Sequence, residues 1–573
     1  MNHSCDNDSV WALGFSHLRR EPIVLIQMPR LLLFITATTT VFCLSHLKCI
    51  SPDPVASDTR YNIVWIVAED LSPVLPMYGD STIKTPHLSA LASQGVTFNN
   101  AFSPSGVCAP SRAALATGCY PTRIGADHMR TGPWFSNLPQ TFIDQYRKSM
   151  SEYGVDIYQA LPPPSVRMMS EIFRENGYYT TNNSKEDYQF RTGTMAWDEN
   201  GSSAHWKNRN PNQPFFSIFN LGVTHESQIW ARANDTLLVN PDLEVPVPPY
   251  LPDTDSALID IRRMYSNAVL MDQQIGEIIQ ELADADVLDN TIVWYYSDHG
   301  GPLPRQKRLT YDSGLRVPLI IRYPNGLNAN TREERLVSFV DFGATALSQC
   351  GIKPIGDIDG IAFDGTFEDS HREYVYAAAD RFDESTDQVR TIRDGRYKYI
   401  RYLDSEKPMF LRVKYREQMA IMRELYRLRD ADELTPEQAL WFRSQKPKEE
   451  LFDAVTDPHE INNLADNSIY TEIKDRLSSD LDEWLDSFED LNAIPEQELL
   501  KRLLPDGQMP MTDIDHRVID NEIILSSQTA GASLGYRLLP QDSMTSSWRL
   551  YESPLPTNDS ISYELIAHRL GYE

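Results

Sequence analysis

Residues 106–125, GVCAPSRAALATGCYPTRIG, place a cysteine just before Pro110, Ser111 and Arg112, with an apolar stretch running on to Thr117-Gly118. The Ser-Arg-Ala-Ala-Leu-Ala-Thr run favours a helix over 111–117 by propensity. Pro110 suits its first position and Ser111 its first turn. Cys108 then stands at the helix entrance, in the positive field of the helix end and one turn from Arg112, where a thiol becomes reactive. Two other readings of the same residues stay open: a buried small hydrophobe, or half of a disulfide with Cys119. A second chemistry is suggested by two acidic pairs. Glu69-Asp70 follows the run 62–67 (NIVWIV), and Asp298-His299 follows 291–297 (TIVWYYS). Groups converging from two such ends can hold a hard divalent cation; taken singly, they also fit a solvated turn and a helix cap.

The elements that would position these groups are legible. Both runs are continuous, apolar and β-branched, the mark of strands buried on both faces of a parallel sheet. The runs 215–221 (FFSIFNL) and 317–323 (VPLIIRY) read the same way, and 264–283 has helical periodicity. Ligands in open α/β sheets gather beyond the strand carboxyl ends. Both acidic pairs fall there.

Composition sets bounds. A chain of 573 residues with 41% hydrophobic content can bury one large core plus appendages. Its net charge of −28 excludes a nucleic-acid binder, which needs a basic face. An anionic small ligand is not excluded, because exposed charges fade beyond about 8 Å in physiological salt. A cation 4 Å from an anion in a partly buried site is worth roughly 4 kcal/mol before desolvation. Met28-Pro29-Arg30 before the apolar run 31–44 reads as a signal peptide, too short for a membrane span, with Met28 as a candidate start. Cys49 would suit a lipoprotein, but Leu47-Lys48 lacks the small residue expected before it. The expected mature chain keeps Cys108, Cys119 and Cys350, which make no disulfide framework.

Cys108, Pro110, Ser111, Arg112, Leu115, Thr117 and Gly118, continued by Tyr120-Pro121-Thr122-Arg123, resemble the Cys-x-Pro-Ser-Arg-x-x-x-Leu-x-Thr-Gly signature of type I sulfatases. The resemblance implies that Cys108 is oxidised by a separate formylglycine-generating or anaerobic sulfatase-maturating enzyme. One hydroxyl of the hydrated aldehyde would attack sulfur and the other expel sulfate. It implies one Ca2+ held by Glu69, Asp70, Asp298 and His299, with Glu69 where many members have Asp. Lys185, in Ser184-Lys185-Glu186-Asp187, matches the cation touching nucleophile and sulfate, but Asp187 replaces the usual histidine. His128, in Ala126-Asp127-His128-Met129-Arg130, is the candidate to do that histidine's work. His225 matches the histidine that protonates the leaving group, a role its ordinary pKa suits. Lys307, with Arg308 as a substitute, matches the cation on the sulfate. Together with Arg112 these cations would neutralise the transferring oxygens, and Asp298 would take the attacking proton.

The resemblance runs from about 60 to 490. Arg381 and Asp383, with Arg130, are candidates to line the sugar pocket. The run 390–400 (RTIRDGRYKYI) resembles a basic strand of sulfatase C-terminal subdomains, and Glu450-Leu451-Phe452-Asp453 with Asp457-Pro458-His459-Glu460 resembles their closing signature. Residues 408–445 read as a helical insertion, with a capping box at Thr435-Pro436-Glu437-Gln438. Short strands are expected at 523–527, 533–538 and 548–551. The implied fold is α/β: a large mixed sheet sandwiched by helices, alkaline phosphatase-like, with a smaller C-terminal α+β subdomain and a short β-sandwich-like appendage. The expected division is a targeting segment over 1–50, a catalytic domain over 60–370, a subdomain over 371–495 and the appendage over 505–573. The chain looks most like the branch of heparan N-sulfatases (sulfamidases) and bacterial polysaccharide sulfatases. It is expected to be an exported, periplasmic or extracellular enzyme acting on a sulfated carbohydrate. The alternatives are a phosphonate monoester hydrolase or phosphodiesterase of the same superfamily, and a glycan-binding protein without catalysis.

Overall fold

The computed structural model describes residues 24–25, 60–130, 140–504, 507–539, 548–557 and 561–572. The expected signal run 31–44 and Cys49 lie outside the described residues. An eight-stranded sheet forms the centre, in the spatial order Glu199–Asn200, Tyr179–Asn183, Phe215–Leu221, Asn62–Ala68, Thr291–Ser297, Arg316–Arg322, Val96–Phe102, Thr331–Ser338. It is mixed. Asn62–Ala68 runs parallel to both neighbours, whereas Arg316–Arg322 runs antiparallel to both of its own. Alternation along Asn62–Ala68 shows why the strand reads as unbroken: Ile63, Trp65 and Val67 join one core, and Val64, Ile66 and Ala68 the opposite one. Each large side chain so buried contributes roughly 1.5–3 kcal/mol, and helices must cover both faces. Helices Cys108–Thr117 and Val340–Gln349 cover one; Asp255–Asp284 covers the other.

A four-stranded antiparallel sheet follows, in the order Val375–Ala379, Val389–Arg393, Tyr397–Tyr402, Glu449–Asp453. The stretch read as one basic strand is therefore a hairpin. Asp394-Gly395 breaks it, and the Asp394 carboxylate accepts the N–H groups of Arg396 and Tyr397 at 2.7 and 2.6 Å. The last residues form two small sheets. One holds Asp515–Ile519, Glu522–Ser526 and Leu555–Pro556; the other holds Ser533–Leu539, Arg549–Leu550, Ser562–His568 and Val24–Leu25.

The insertion carries helix Ala420–Asp430 and the short helix Pro436–Ala439, capped by Thr435 and Gln438 as expected. It docks on the long helix through Asp260, whose carboxylate accepts the Ile421 N–H at 2.7 Å. Burial pushes the Asp260 carboxyl up to about 6 from 3.8. A folded-state pKa above the unfolded one means that its stabilising share is complete below about pH 4. That share is lost as pH rises to about 6, a change of about 3 kcal/mol. Asp260→Asn removes the charge and keeps an acceptor. Its melting temperature relative to wild type is therefore expected to climb between pH 4 and 6 and level off above. A constant difference across that range would contradict the assignment.

Candidate active site

Five strands running in one direction end on one side of the sheet, and each delivers part of a single cluster. Asn62–Ala68 leads to Glu69 and Asp70, Val96–Phe102 to Cys108, Tyr179–Asn183 to Lys185, Phe215–Leu221 to His225 and Glu226, and Thr291–Ser297 to Asp298 and His299. The helix that carries the cysteine begins at Cys108, three residues before the start expected from propensity, with Val107 as its extended N-cap. Lys307 arrives on a loop locked against the cysteine's own. The Arg308 N–H donates to the Gly106 carbonyl at 2.7 Å, and a Cβ on Gly106 would stand 2.6 Å from the Leu309 oxygen. Only glycine allows that approach.

Asp70 is the hub. Its Oδ1 lies 2.9 Å from His299 Nε2, and its Oδ2 accepts from Lys307 Nζ and from the Glu226 N–H, both at 2.7 Å. Its own N–H donates to Asp298 Oδ1 at 3.0 Å, and its backbone is left-handed at φ 51°, a region aspartate tolerates. Cys108 Sγ lies 3.4 Å from His299 Nε2, 3.7 Å from Lys307 Nζ and 3.8 Å from Asp70 Oδ1. Burial pushes the Cys108 thiol well above the usual range, against the pull of Lys185 and Lys307. Burial therefore disfavours the thiolate, the form in which a cysteine acts as a nucleophile. Burial would also raise the Asp70 carboxyl, yet Lys307, His225 and His299 hold it well below its ordinary value. Asp298 is held at about 2, burial being overcome by His299 and Arg112.

The donor set fits a hard cation. Ligand atoms of Asp70, Cys108, Asp298 and His299 all lie within 4.8 Å of one another. His299 Nδ1 lies 3.0 Å from the Gly300 carbonyl, which orients the ring, and Nε2 lies 2.9 Å from Asp70 Oδ1. With its proton on Nδ1, the ring would offer Nε2 beside the Asp70 carboxylate as a second donor to a shared cation. Two buried carboxylates and an imidazole make an oxygen-rich set suited to a divalent ion.

Among the expected residues, Cys108, Asp70, Asp298, His299, His225 and Lys307 come together, Arg112 joins them directly through Asp298, and Lys185 stands beside them on Glu69. Glu69 pairs with Lys185 at 3.0 Å and Arg112 at 3.7 Å, and so stands apart from the converging donors. Arg112 is bound to Asp298 at 3.0 Å and Asn220 at 2.6 Å. Arg308 forks onto Glu226 at 2.8 and 3.0 Å and pairs with Asp383 at 2.6 Å, so both Arg308 and Asp383 hold the site together from behind.

Three expectations are corrected. His128 is fully buried, stacked on Tyr158 at 4.6 Å, and accepts the Arg130 N–H through Nδ1. Burial, then Arg130 and Arg381, hold its imidazole well below the histidine range, and its bonds and ring contact lie outside the Cys108 cluster. Arg130 is spent on Glu496 at 2.8 Å, on Thr386 at 2.8 Å and on the Asp383 and Ser385 carbonyls. Arg381 is spent on Tyr158 at 3.2 Å and on the Asn492 and Ile494 carbonyls. Both guanidiniums are buried fasteners rather than sugar-pocket groups. The disulfide reading also falls: Cys108, Cys119 and Cys350 are free thiols.

Sequence reasoning missed Glu226 and Asn220. Glu226 ties Lys307 at 3.2 Å to Arg308 and is held at about 2, burial being outweighed by those two cations. Asn220 was legible as one of two polar residues, with Ser217, in the otherwise apolar run 215–221, a pattern that demands a buried partner. Glu226 had no signal beyond its place after His225.

Comparison with known proteins adds independent findings. The family model described as Sulfatase matches residues 61–352, and that described as N-sulphoglucosamine sulphohydrolase, C-terminal, matches 305–440. An ulvan-active sulfatase of Formosa agariphila is 42% identical over 95% of this chain and 96% of its own. The human N-sulphoglucosamine sulphohydrolase is 23% identical over 74% of this chain and 89% of its own. In fold, the chain is similar to the structure of a 2-O GAG sulfatase, at a TM-score of 0.53 and 19% identity over 76% of this chain and 94% of that one.

Proposed function

This chain belongs to the sulfatase family, within the alkaline phosphatase superfamily, and is a sulfuric ester hydrolase acting on glycans; from that premise we propose how its residues divide the work. The reading is a carbohydrate sulfatase that uses formylglycine made from Cys108, with one calcium ion beside it. The observation that carries it is the seat of Cys108: a buried residue 3.7 Å from Lys307 Nζ, 3.4 Å from His299 Nε2 and 3.8 Å from Asp70 Oδ1, where burial disfavours a thiolate. A precursor residue fits that place better than a working thiol does.

Formylglycine would supply a hydrated aldehyde as oxygen nucleophile, and calcium held by Asp70, Asp298 and His299, with Glu69 nearby, would neutralise charge on the sulfate. Lys307 and Lys185 bind sulfate oxygens, each already aligned by a carboxylate, so little rearrangement is needed as charge develops. Arg112 keeps Asp298 ionised and oriented to take the attacking proton. Ser227 holds the ring of His225 through Nδ1, its N–H at 3.2 Å and its hydroxyl at 2.8 Å, and Nε2 lies 3.3 Å from Lys307 Nζ, whose ammonium can only donate to it. Nε2 is the atom proposed to carry a proton to the departing oxygen or nitrogen once the bound sulfate has drawn Lys307 away from it.

His225→Ala is expected to lower kcat on a sugar sulfate about 100-fold or more. On nitrophenyl sulfate, whose leaving group needs no proton, the loss should be less than about tenfold. Equal losses on both substrates would remove His225 from the donor role.

The substrate class proposed is a sulfated polysaccharide fragment, with ulvan oligosaccharides the first to test and N-sulfated glucosamine the second, given the relatives' names. The residues 60–370 would be the catalytic domain, 371–495 its subdomain and 505–573 a packing appendage. Export through the run 31–44 is part of the proposal; among the described residues no helix is long and apolar enough to cross a membrane. The test is the mass of the peptide spanning Cys108 in protein co-produced with a maturation enzyme, followed by sulfate release from both saccharides with and without a calcium chelator. Conversion of thiol to aldehyde with chelator-sensitive release supports the reading. Fully converted protein that releases sulfate from neither would overturn it.

A further inference from the structure

The wall beside His225 has no part in the chemistry above. The Ser227 hydroxyl, 2.8 Å from His225 Nδ1, opens the short helix Ser227–Ala231, and that helix carries the half-buried Trp230. Facing it is the insertion. Tyr415, first residue of the turn Tyr415–Gln418, meets Trp230 edge-on with ring centroids 5.0 Å apart and planes at 80°. The Tyr415 side of this pair is 43% exposed, unusual for a tyrosine so close to a charged centre. Closeness shows in its electrostatics: burial and then the Glu226 carboxylate raise its phenol, with Lys307 and Asp70 also within reach.

The turn is held firmly. Arg416 points inward from the next position, its guanidinium 5.1 Å from the Phe410 ring centre and 4.8 Å from that of Trp441. Burial and then Arg308 push its pKa down to about 10, so its charge does not favour the place; what holds the turn is the packing of the buried Arg416 side chain on the two rings and its bond to the Leu411 carbonyl, which movement of Tyr415 would disturb. The helix that follows is pinned to the long helix by Asp260. An aromatic pair is thus presented to solvent, rigidly, on the side of the proton donor.

We infer that Tyr415, backed edge-on by Trp230, forms the subsite that receives the sugar ring carrying the scissile group, stacking against its C–H face while His225 reaches the bridging atom. The chemistry fits a pyranose: an amphipathic ring needs an apolar wall next to a few fixed polar groups. Lys307, His225 and Ser227 supply those groups. Tyr415 then sets specificity for the carbohydrate and leaves the sulfate to the cations. This inference rests on the carbohydrate sulfatase reading.

The test compares matured wild type, Tyr415→Ala and Tyr415→Phe for KM on the sulfated saccharide and for the inhibition constant of inorganic sulfate, which occupies the cation site alone. Tyr415→Ala should raise KM roughly tenfold with the sulfate inhibition constant unchanged, and Tyr415→Phe, which keeps the ring, should restore most of the loss. A Tyr415→Ala enzyme that retains wild-type KM, or that loses saccharide and sulfate affinity together, would overturn the subsite alone. Matured wild type that turns over no sulfated saccharide would overturn the sulfatase reading, and the subsite with it.

Discussion

Cys108→Ala is expected to abolish sulfate release, with kcat/KM falling at least about 10⁴-fold, because the residue that becomes the nucleophile is lost and nothing beside it can take over. His299 and Asp70 are engaged with each other, and the two serines nearest in sequence, Ser105 and Ser111, donate their hydroxyls to Asp127 and to the Asp298 carbonyl. The fold should survive, since the side chain removed is small and the helix it opens is anchored by Arg112 and Ser111. Unmatured wild type is expected to be as inactive as the alanine variant. Burial disfavours the thiolate of the unmodified residue, the form that would attack sulfur. Sulfate release is measured on three preparations of verified peptide mass: matured, unmatured and Cys108→Ala. Substantial turnover by unmatured protein would contradict the precursor assignment.

Asp70→Asn is the second large effect, an expected loss of about 10³-fold or more in kcat together with loss of bound calcium. Asparagine matches aspartate in shape and also tolerates the left-handed backbone at φ 51°, so the substitution removes charge and little else. Charge is what this position supplies. Lys307 Nζ, buried and 2.7 Å away, loses its closest counterion, and His299 Nε2 loses the partner with which it would share a cation. Metal content by elemental analysis separates this from a folding defect: protein with a wild-type melting temperature but no calcium supports the assignment. A variant that keeps one equivalent of calcium and near-normal turnover would move the metal elsewhere.

The site was unevenly legible in the sequence. Groups just past the ends of apolar runs were found because ligands gather beyond the carboxyl ends of such strands. Glu69, Asp70, Asp298 and His299 lie within two residues of a strand end, and His225 lies four residues past one. Lys185 and Lys307 were placed by resemblance, since neither belongs to a periodic pattern. Arg130, Arg381 and His128 misled for a common reason. An arginine or histidine in a loop has the composition of a binding residue whether its hydrogen bonds go to a ligand or to backbone carbonyls. Only the fold shows that Ile494, Asn492 and Glu496 had already claimed them.

By itself, then, the sequence determined four of the eight central strands, the helical insertion with its Thr435 cap, the place of the cysteine at a helix start and the acidic pairs, because each follows from local periodicity and short-range bonding. Tertiary structure decided the rest. Whether Glu226 clamps Lys307, whether Glu69 faces a metal or two cations, and whether Tyr415 meets Trp230 across 185 residues of chain are matters of which loops the sheet brings side by side. Long-range juxtaposition is set by packing of the two cores, and packing free energy depends on whole faces rather than on any residue's neighbours in sequence.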